Sequence, residues 1–367
     1  MRIKAKTSEL TKAVNNVGKV ISGKSVDLIL ENILLKVNDK LTLTTTNLEQ
    51  AMEYALEVEI LENGLETSTI LPYDILRDIT PKFKGEYIEL EIKEKKAVIK
   101  EDSGEFTLHT FNPEAFAIIP EVSSELKFSL SFGTLKELIE NTIFAASKKE
   151  ESRREFKGVY FDIKDDYVNL VATDSTALAL NKIKEAGLPK TSFIVPWKAL
   201  DILTHLSYED NTPVQIEVTE SNIKFSLPNL SLISLLINGQ FPQYESVIPG
   251  EAEFYGKVAK NVLMDALDII EVFAKKGTGR IIFTFSHGNL IIESSSSEIG
   301  QGKKVIPCET NAEVSLQFYA EKIIDGIEHV KDQTVFFGIQ GPIHPVLVKG
   351  TDSEDYLYVI MPQKPIE

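Results

Sequence analysis

The stretch NILLKVNDKLTLTTTN, residues 32–47, decides the fold. It reads as an apolar strand, a short polar turn, a second strand and a Thr-rich end, which is the signature of a β-hairpin. The same pattern returns as GVYFDIKDDYVNLVATD (158–174) and as RIIFTFSHGNLIIESSS (280–296), first 126 and then 122 residues further on. A pattern repeated at such a period means one structural unit written three times.

Two further elements recur in the same order. An apolar strand running into a helix appears as TSTILPYDILRDI from Thr67, TSFIVPWKALDIL from Thr191 and EVSLQFYAEKIIDGI from Glu313. Pro72 and Pro196 sit at matching places, where proline suits a first helical turn. Each unit opens on an amphipathic helix: TSELTKAVNNV (7–17), FGTLKELIENTIFAA (132–146) and AKNVLMDALDIIEVFA (259–274). In the last of these Leu263, Ala266, Leu267 and Ile270 fall at helical spacing. In EYIELEIKEKKAVIK (86–100) Ile88, Leu90 and Ile92 alternate with charges, as in an antiparallel sheet with one wet face. The expectation is an α+β chain of three tandem units, 1–120, 121–247 and 248–367, each with two helices and about eight strands.

Composition narrows the class. Of 367 residues 43% are hydrophobic and 26% charged, as in a soluble globular protein. No apolar run approaches the ~18 residues that span a bilayer, and the N-terminus lacks the apolar core of a signal peptide. A single cysteine, Cys308, excludes an internal disulfide and a cysteine-built zinc site. A cytoplasmic protein without membrane contact is expected. The net charge of −16 argues on its face against nucleic acid. Its distribution changes that reading: the six predicted helices (7–20, 72–83, 131–149, 196–208, 259–276, 320–331) together carry +1, leaving −17 on the rest.

One motif points elsewhere. GKVISGKS (18–25) matches the phosphate-binding pattern G-x-x-x-x-G-K-[ST], but that loop needs a strand before it and a helix after it. Here a helical pattern precedes Gly18, and an extended apolar segment, Leu28-Ile29-Leu30, leads to the strand near Ile33. A glycine-capped helix end explains it. The five histidines are scattered without metal-ligand spacing, and no G-x-S-x-G elbow occurs. Nothing commits the chain to catalysis, and no cofactor or metal is expected.

Three tandem α+β units, an acidic net charge, Val171-Ala172-Thr173-Asp174, Phe241-Pro242-Gln243-Tyr244 and the terminal Tyr358-Val359-Ile360-Met361-Pro362 together resemble the bacterial sliding clamps, the β subunits of DNA polymerase III. The resemblance runs the full length. It implies a DNA clamp fold in a head-to-tail homodimeric ring, with helices lining a hole for duplex DNA and sheets outside. It further implies a groove for short peptide motifs of the replicative polymerase subunit, the clamp loader and other clamp-motif proteins. The positions matching that groove are Phe156, Thr173, Leu178, Pro242, Val247, Val359, Ile360, Met361 and Pro362. Those matching the DNA-facing side are Lys24, Arg153, Arg154 and Lys198. Phe106 and Leu108 on one edge, with Val272 and Phe273 on a third-unit helix, match the subunit boundary. Ser175-Thr176-Ala177 departs from the Gly-His-Arg that many relatives carry, and the tail runs on from Gln363 to Glu367. Two other readings compete: a nucleotide-dependent enzyme using residues 18–25, which strand-loop-helix flanks would favour, and a structural repeat protein unrelated to DNA.

Overall fold

The computed structural model describes residues 1–21, 23, 27–62, 67–102, 104–117, 119, 122, 124 and 126–364. Its three hairpins begin where the repeat places them: Asn32–Val37 with Lys40–Thr46, Gly158–Ile163 with Tyr167–Thr173, and Arg280–Ser286 with Asn289–Ser296. Six α-helices accompany them: α1 (Thr7–Val17), α2 (Tyr73–Ile79), α3 (Phe132–Ile143), α4 (Trp197–Thr204), α5 (Lys260–Lys275) and α6 (Ala320–Glu328). In α5 the predicted stripe of Leu263, Ala266, Leu267 and Ile270 is the buried face. Strand Tyr87–Lys93 buries Ile88, Leu90 and Ile92 and leaves its charges wetter, as alternation requires.

The chain forms two compact units that do not coincide with the repeats. One holds Met1–Thr134 and Ile202–Leu236; the other holds Leu135–Asp201 and Ile237–Glu367. The first unit contains a five-stranded sheet ending on the edge strand Gly104–His109, and an eight-stranded sheet. In the eight-stranded sheet Gln50–Glu57 from the first repeat pairs antiparallel with Leu230–Leu235 from the second, Ala51 opposite Ile233. The second unit contains a four-stranded sheet ending on the edge strand Gly300–Pro307, and a nine-stranded sheet. There Ala177–Lys184 of the second repeat pairs with Tyr356–Ile360 of the third, Leu178 opposite Val359. Each long sheet therefore joins strands from two repeats.

Local expectations shift in three places. Pro72 ends its strand and is the N-cap of α2, with φ −65° and ψ 122°, rather than lying in the first turn. Pro196 likewise closes strand Thr191–Pro196. All six helices are shorter than the predicted ranges, so Lys19, Lys82, Lys148, Lys149, Lys276 and Lys331 lie outside them and the six together carry −5 rather than +1. Leu28–Glu31 is a 3-10 turn rather than extended chain, its second amide satisfied locally by the Asp27 carboxylate, which accepts from the Ile29 N–H at 3.0 Å.

Gly326 shows how tightly α6 is fitted. The Tyr356 hydroxyl donates to its carbonyl at 2.9 Å, the Tyr358 hydroxyl donates to the Lys322 carbonyl at 2.9 Å, and a Cβ on Gly326 would enter the Tyr358 ring. Glycine inside an exposed helix costs about 1 kcal/mol relative to alanine, so Gly→Ala is normally a gain. Here overpacking, typically 1–3 kcal/mol, opposes it with a fully buried ring as the obstacle. Gly326→Ala should therefore lower the thermal midpoint; a raised midpoint would show that the ring moves aside freely.

Candidate partner groove and DNA-facing residues

The outer apolar layer of the nine-stranded sheet is built from Val171, Leu178, Leu180, Ile194, Leu347 and Val359, covered by Phe241 and Tyr244. These two aromatics come from the segment that follows the last strand of the second repeat, Leu230–Leu235. Phe241 stacks on Tyr160 with centroids 4.7 Å apart and planes 5° apart. The Tyr244 hydroxyl donates to Asp162 Oδ2 at 2.6 Å and accepts from Asn169 Nδ2 at 3.2 Å. Burial, and then the Asp162 carboxylate, push the Tyr244 phenol far above its ordinary range, so it stays a donor at all physiological pH. Lys164 closes the cluster with ion pairs to Asp162 at 3.1 Å and Glu245 at 3.0 Å. That segment is thus fixed by aromatic stacking and a buried polar network, which holds Pro242 and Val247 at the margin of the layer.

Most positions matching the groove meet here. Thr173 lies opposite Leu178 in the ladder, and Leu178 opposite Val359. Met361 follows the last strand, its N–H donating to the Thr176 carbonyl at 2.9 Å. Met361 is 36% and Val247 48% exposed, while Leu178 and Val359 are buried beneath. Pro362 is half-buried, and the tail is held by a hydrogen bond of 2.7 Å from the Gln363 N–H to the Gln317 carbonyl. Ile360 differs. Strand alternation turns it to the face opposite Val359, the face of Tyr358, and it is 2% exposed. Its backbone contributes to the seam, but its side chain does not line the layer. Phe156 is half-buried in the 3-10 turn Arg154–Lys157; its carbonyl accepts from the Ser147 N–H at 2.7 Å, and the Arg153 guanidinium lies 5.3 Å from its ring.

The turn between Thr173 and Ala177 carries Ser175-Thr176. Ser175 has φ 78°, a left-handed conformation for a non-glycine residue. Asp174 Oδ1 accepts from the amides of Thr176 (2.9 Å) and Ala177 (3.0 Å) and from the Thr176 hydroxyl (2.8 Å). The Lys322 ammonium, from α6, bonds both Asp174 Oδ2 and the Thr176 hydroxyl. Burial pushes the Asp174 carboxyl up, but Lys322 and Thr176 outweigh it and hold it below the usual carboxylate range. Lys322 belongs to no motif in the sequence. Its one signal is that it stands alone among Glu321, Asp325 and Glu328 on α6.

Arg153, Arg154 and Lys198 are all exposed, the last on α4. Lys24 lies outside the described residues. The segment containing it is entered from α1 through a 3-10 turn, Gly18–Val20, and left through Leu28–Glu31 into strand Asn32–Val37. Helix-loop-strand is the reverse of a phosphate loop, which removes the basis of the nucleotide-enzyme reading. Gly18 does cap α1, but with φ −63°. Space requires the glycine: a Cβ would collide with the Tyr73 hydroxyl. Phe106, 38% exposed, lies on the free edge strand Gly104–His109 with Leu108, and packs on Phe83 at 5.4 Å. Phe273, beside the exposed Val272, leans over Gly302 of the edge strand Gly300–Pro307.

The fold is that of the DNA polymerase sliding clamps. A Bacillus subtilis DNA polymerase sliding clamp superposes with a TM-score of 0.92 at 22% identity, covering 100% of both chains. A putative DNA polymerase III beta subunit from Eubacterium rectale gives 0.93 at 24% identity over 99% of both. The beta sliding clamp of Halalkalibacterium halodurans is 25% identical over 95% of this chain and 96% of its own. Residues 1–120, 129–243 and 245–364 match the N-terminal, central and C-terminal domains of the DNA polymerase III beta subunit. The chain belongs to the DNA polymerase III beta subunit family, whose members are non-catalytic processivity factors. Among the described residues no helix is long and apolar enough to cross a membrane.

Helix α6 carries a pH-sensitive group near this site. Burial pushes the Asp325 carboxyl up to about 6, helped by the carboxylates of Glu321 and Glu328. That lies above the value of about 4 expected in the unfolded chain, so the native state holds the proton more tightly. Stability attributable to this group therefore falls as pH rises from about 4 to about 6. Asp325→Asn should raise the urea midpoint relative to the parent at pH 7 and leave it nearly unchanged at pH 4. An equal gain at both pH values would contradict the assignment.

Proposed function

We propose that the chain works as a DNA polymerase processivity factor: two copies joined head to tail into a ring of six similar subdomains that encircles duplex DNA. Its units are the three repeats, 1–120, 121–247 and 248–367. The helices, which carry −5 of the net −16, face the DNA with basic residues just beyond their ends, Lys148, Lys149 and Lys276 among them, and Lys24, Arg153, Arg154 and Lys198 supply phosphate contacts. An acidic exterior discourages binding from outside, and a closed ring holds its substrate without gripping it. The replicative polymerase subunit, the clamp loader and other clamp-motif proteins dock by short peptides in the groove described above.

The observation that carries the peptide part is the pairing of a docked C-terminal strand with an apolar layer that leaves Met361 and Val247 accessible. The strand Tyr356–Ile360 is held on both sides, by Ala177–Lys184 and by Val346–Gly350, and Met361 follows it as a wall. Extended peptides with apolar anchors need such a preformed greasy surface. Met361→Asp should abolish binding of a Gln-Leu-x-Leu-Phe type peptide in calorimetric titration, because a charge in a desolvated groove costs more than the anchors return. Equal affinity in parent and variant would place the groove elsewhere.

Support for the homodimer comes from two of the edge strands, Gly104–His109 and Gly300–Pro307, each with exposed apolar residues. Such edges invite pairing, and a head-to-tail contact that closes makes a ring. Replacing both Phe106 and Leu108 by alanine removes apolar burial worth ~1.5–3 kcal/mol per side chain. Sedimentation of the double variant should show monomer at concentrations where the parent is dimeric; a dimer as strong as the parent's would refute this interface.

A further inference from the structure

We infer that Lys322 is the positioning residue of the partner groove: its ammonium ties the Thr173–Ala177 turn to α6 and so sets the wall formed by Met361. The inference rests on the peptide-groove reading above.

The fold contains its own control for this lysine. In the other compact unit, residues 46–50 make the same turn. Thr46 Oγ1 donates to the Gln50 carbonyl at 2.8 Å, as Thr173 Oγ1 donates to the Ala177 carbonyl at 2.6 Å. The Leu48 N–H donates to Thr46 Oγ1 at 3.1 Å, as Ser175 N–H does to Thr173 Oγ1 at 3.2 Å. Asn47 Oδ1 accepts from the amides of Glu49 (3.1 Å) and Gln50 (2.8 Å), in the role of Asp174 Oδ1. Leu48 has φ 74°, matching 78° at Ser175. The neighbouring strand end is held alike: the Leu235 N–H donates to the Glu49 carbonyl at 2.9 Å, the Met361 N–H to the Thr176 carbonyl at 2.9 Å.

Among the described residues the chain thus builds this turn and its seam once with a lysine and once without. Where Asp174 offers Oδ2 to Lys322, Asn47 instead donates its amide to the Val20 carbonyl at 3.1 Å. Folding of the turn does not require the lysine. What Lys322 adds is a closed circuit around the groove wall. Its carbonyl accepts from the Tyr358 hydroxyl, its ammonium binds Asp174 and Thr176, and the Thr176 carbonyl holds Met361, three residues beyond Tyr358. Its side chain is 32% exposed and that of Asp174 22%, so the pair is only partly screened by solvent. A wall fixed before the peptide arrives lowers the ordering cost of binding and appears mainly in the dissociation rate.

The test uses the full chain and an immobilised Gln-Leu-Ala-Leu-Phe peptide, with association and dissociation rates measured separately. Lys322→Met and Asp174→Asn, the second copying the residue at position 47, should each speed dissociation about fivefold with association unchanged, a size usual for coupled neighbours. The double variant should be no worse than either single one, and Lys322→Arg should recover most of the loss. If Met361→Asp abolishes binding while both single variants dissociate like the parent, the groove stands and the tether is overturned. Additive losses in the double variant would overturn it too. If Met361→Asp binds like the parent, the groove reading itself falls, and the tether falls with it.

Discussion

The backbone pairing of Ala177–Lys184 with Tyr356–Ile360 is the interaction on which the rest of the second compact unit depends. It joins strands some 180 residues apart in sequence, so its closure entropy must be met by what it brings together. That return is large. The seam places Val359 beside Leu178 in one apolar layer and Tyr358 against α6 on the other face. It also ends at Met361, held by Thr176. Strand Tyr356–Ile360, paired on its other side with Val346–Gly350, is thereby closed on both edges. The first unit repeats the arrangement with Gln50–Glu57 and Leu230–Leu235.

The two seams resemble each other in backbone and differ in decoration. Over the second seam lie Phe241 and Tyr244, anchored through Tyr160, Asp162 and Asn169. Over the first lies a smaller cluster of Ala51, Val122, Ile233 and Ile119. Among the described residues only the second has a cation from a neighbouring helix pinning its turn. Repetition supplied the frame twice, and side-chain chemistry gave one copy the broader apolar layer, the one proposed to receive an extended peptide.

Sequence reading succeeded where signals are local and periodic. The hairpins at Asn32, Gly158 and Arg280, the buried stripe of α5 and the alternation at Ile88, Leu90 and Ile92 all follow from spacing within a few residues. It fell short where geometry is set from a distance. Pro72 moved to an N-cap, and Gly18 proved to be a matter of room for Tyr73 rather than of φ. Ile360 turned its side chain away from the face of Val359, because a terminal run of apolar residues does not reveal which face each takes. Lys322 was invisible, since its partners Asp174 and Thr176 lie about 150 residues away and no short pattern contains all three. The compact units, which cut across the repeats, follow from the seams and so were equally out of reach.

The central claim is that the chain holds DNA by enclosing it. The direct measurement is retention on DNA in gel filtration after loading onto a nicked circular duplex, compared with the same DNA linearised by a single cut. Enclosure predicts that the protein stays with the circle in moderately high salt and is lost from the linear form by sliding off its ends. Equal retention on both, falling in parallel as salt rises, would mean binding by charge from outside and would contradict the account.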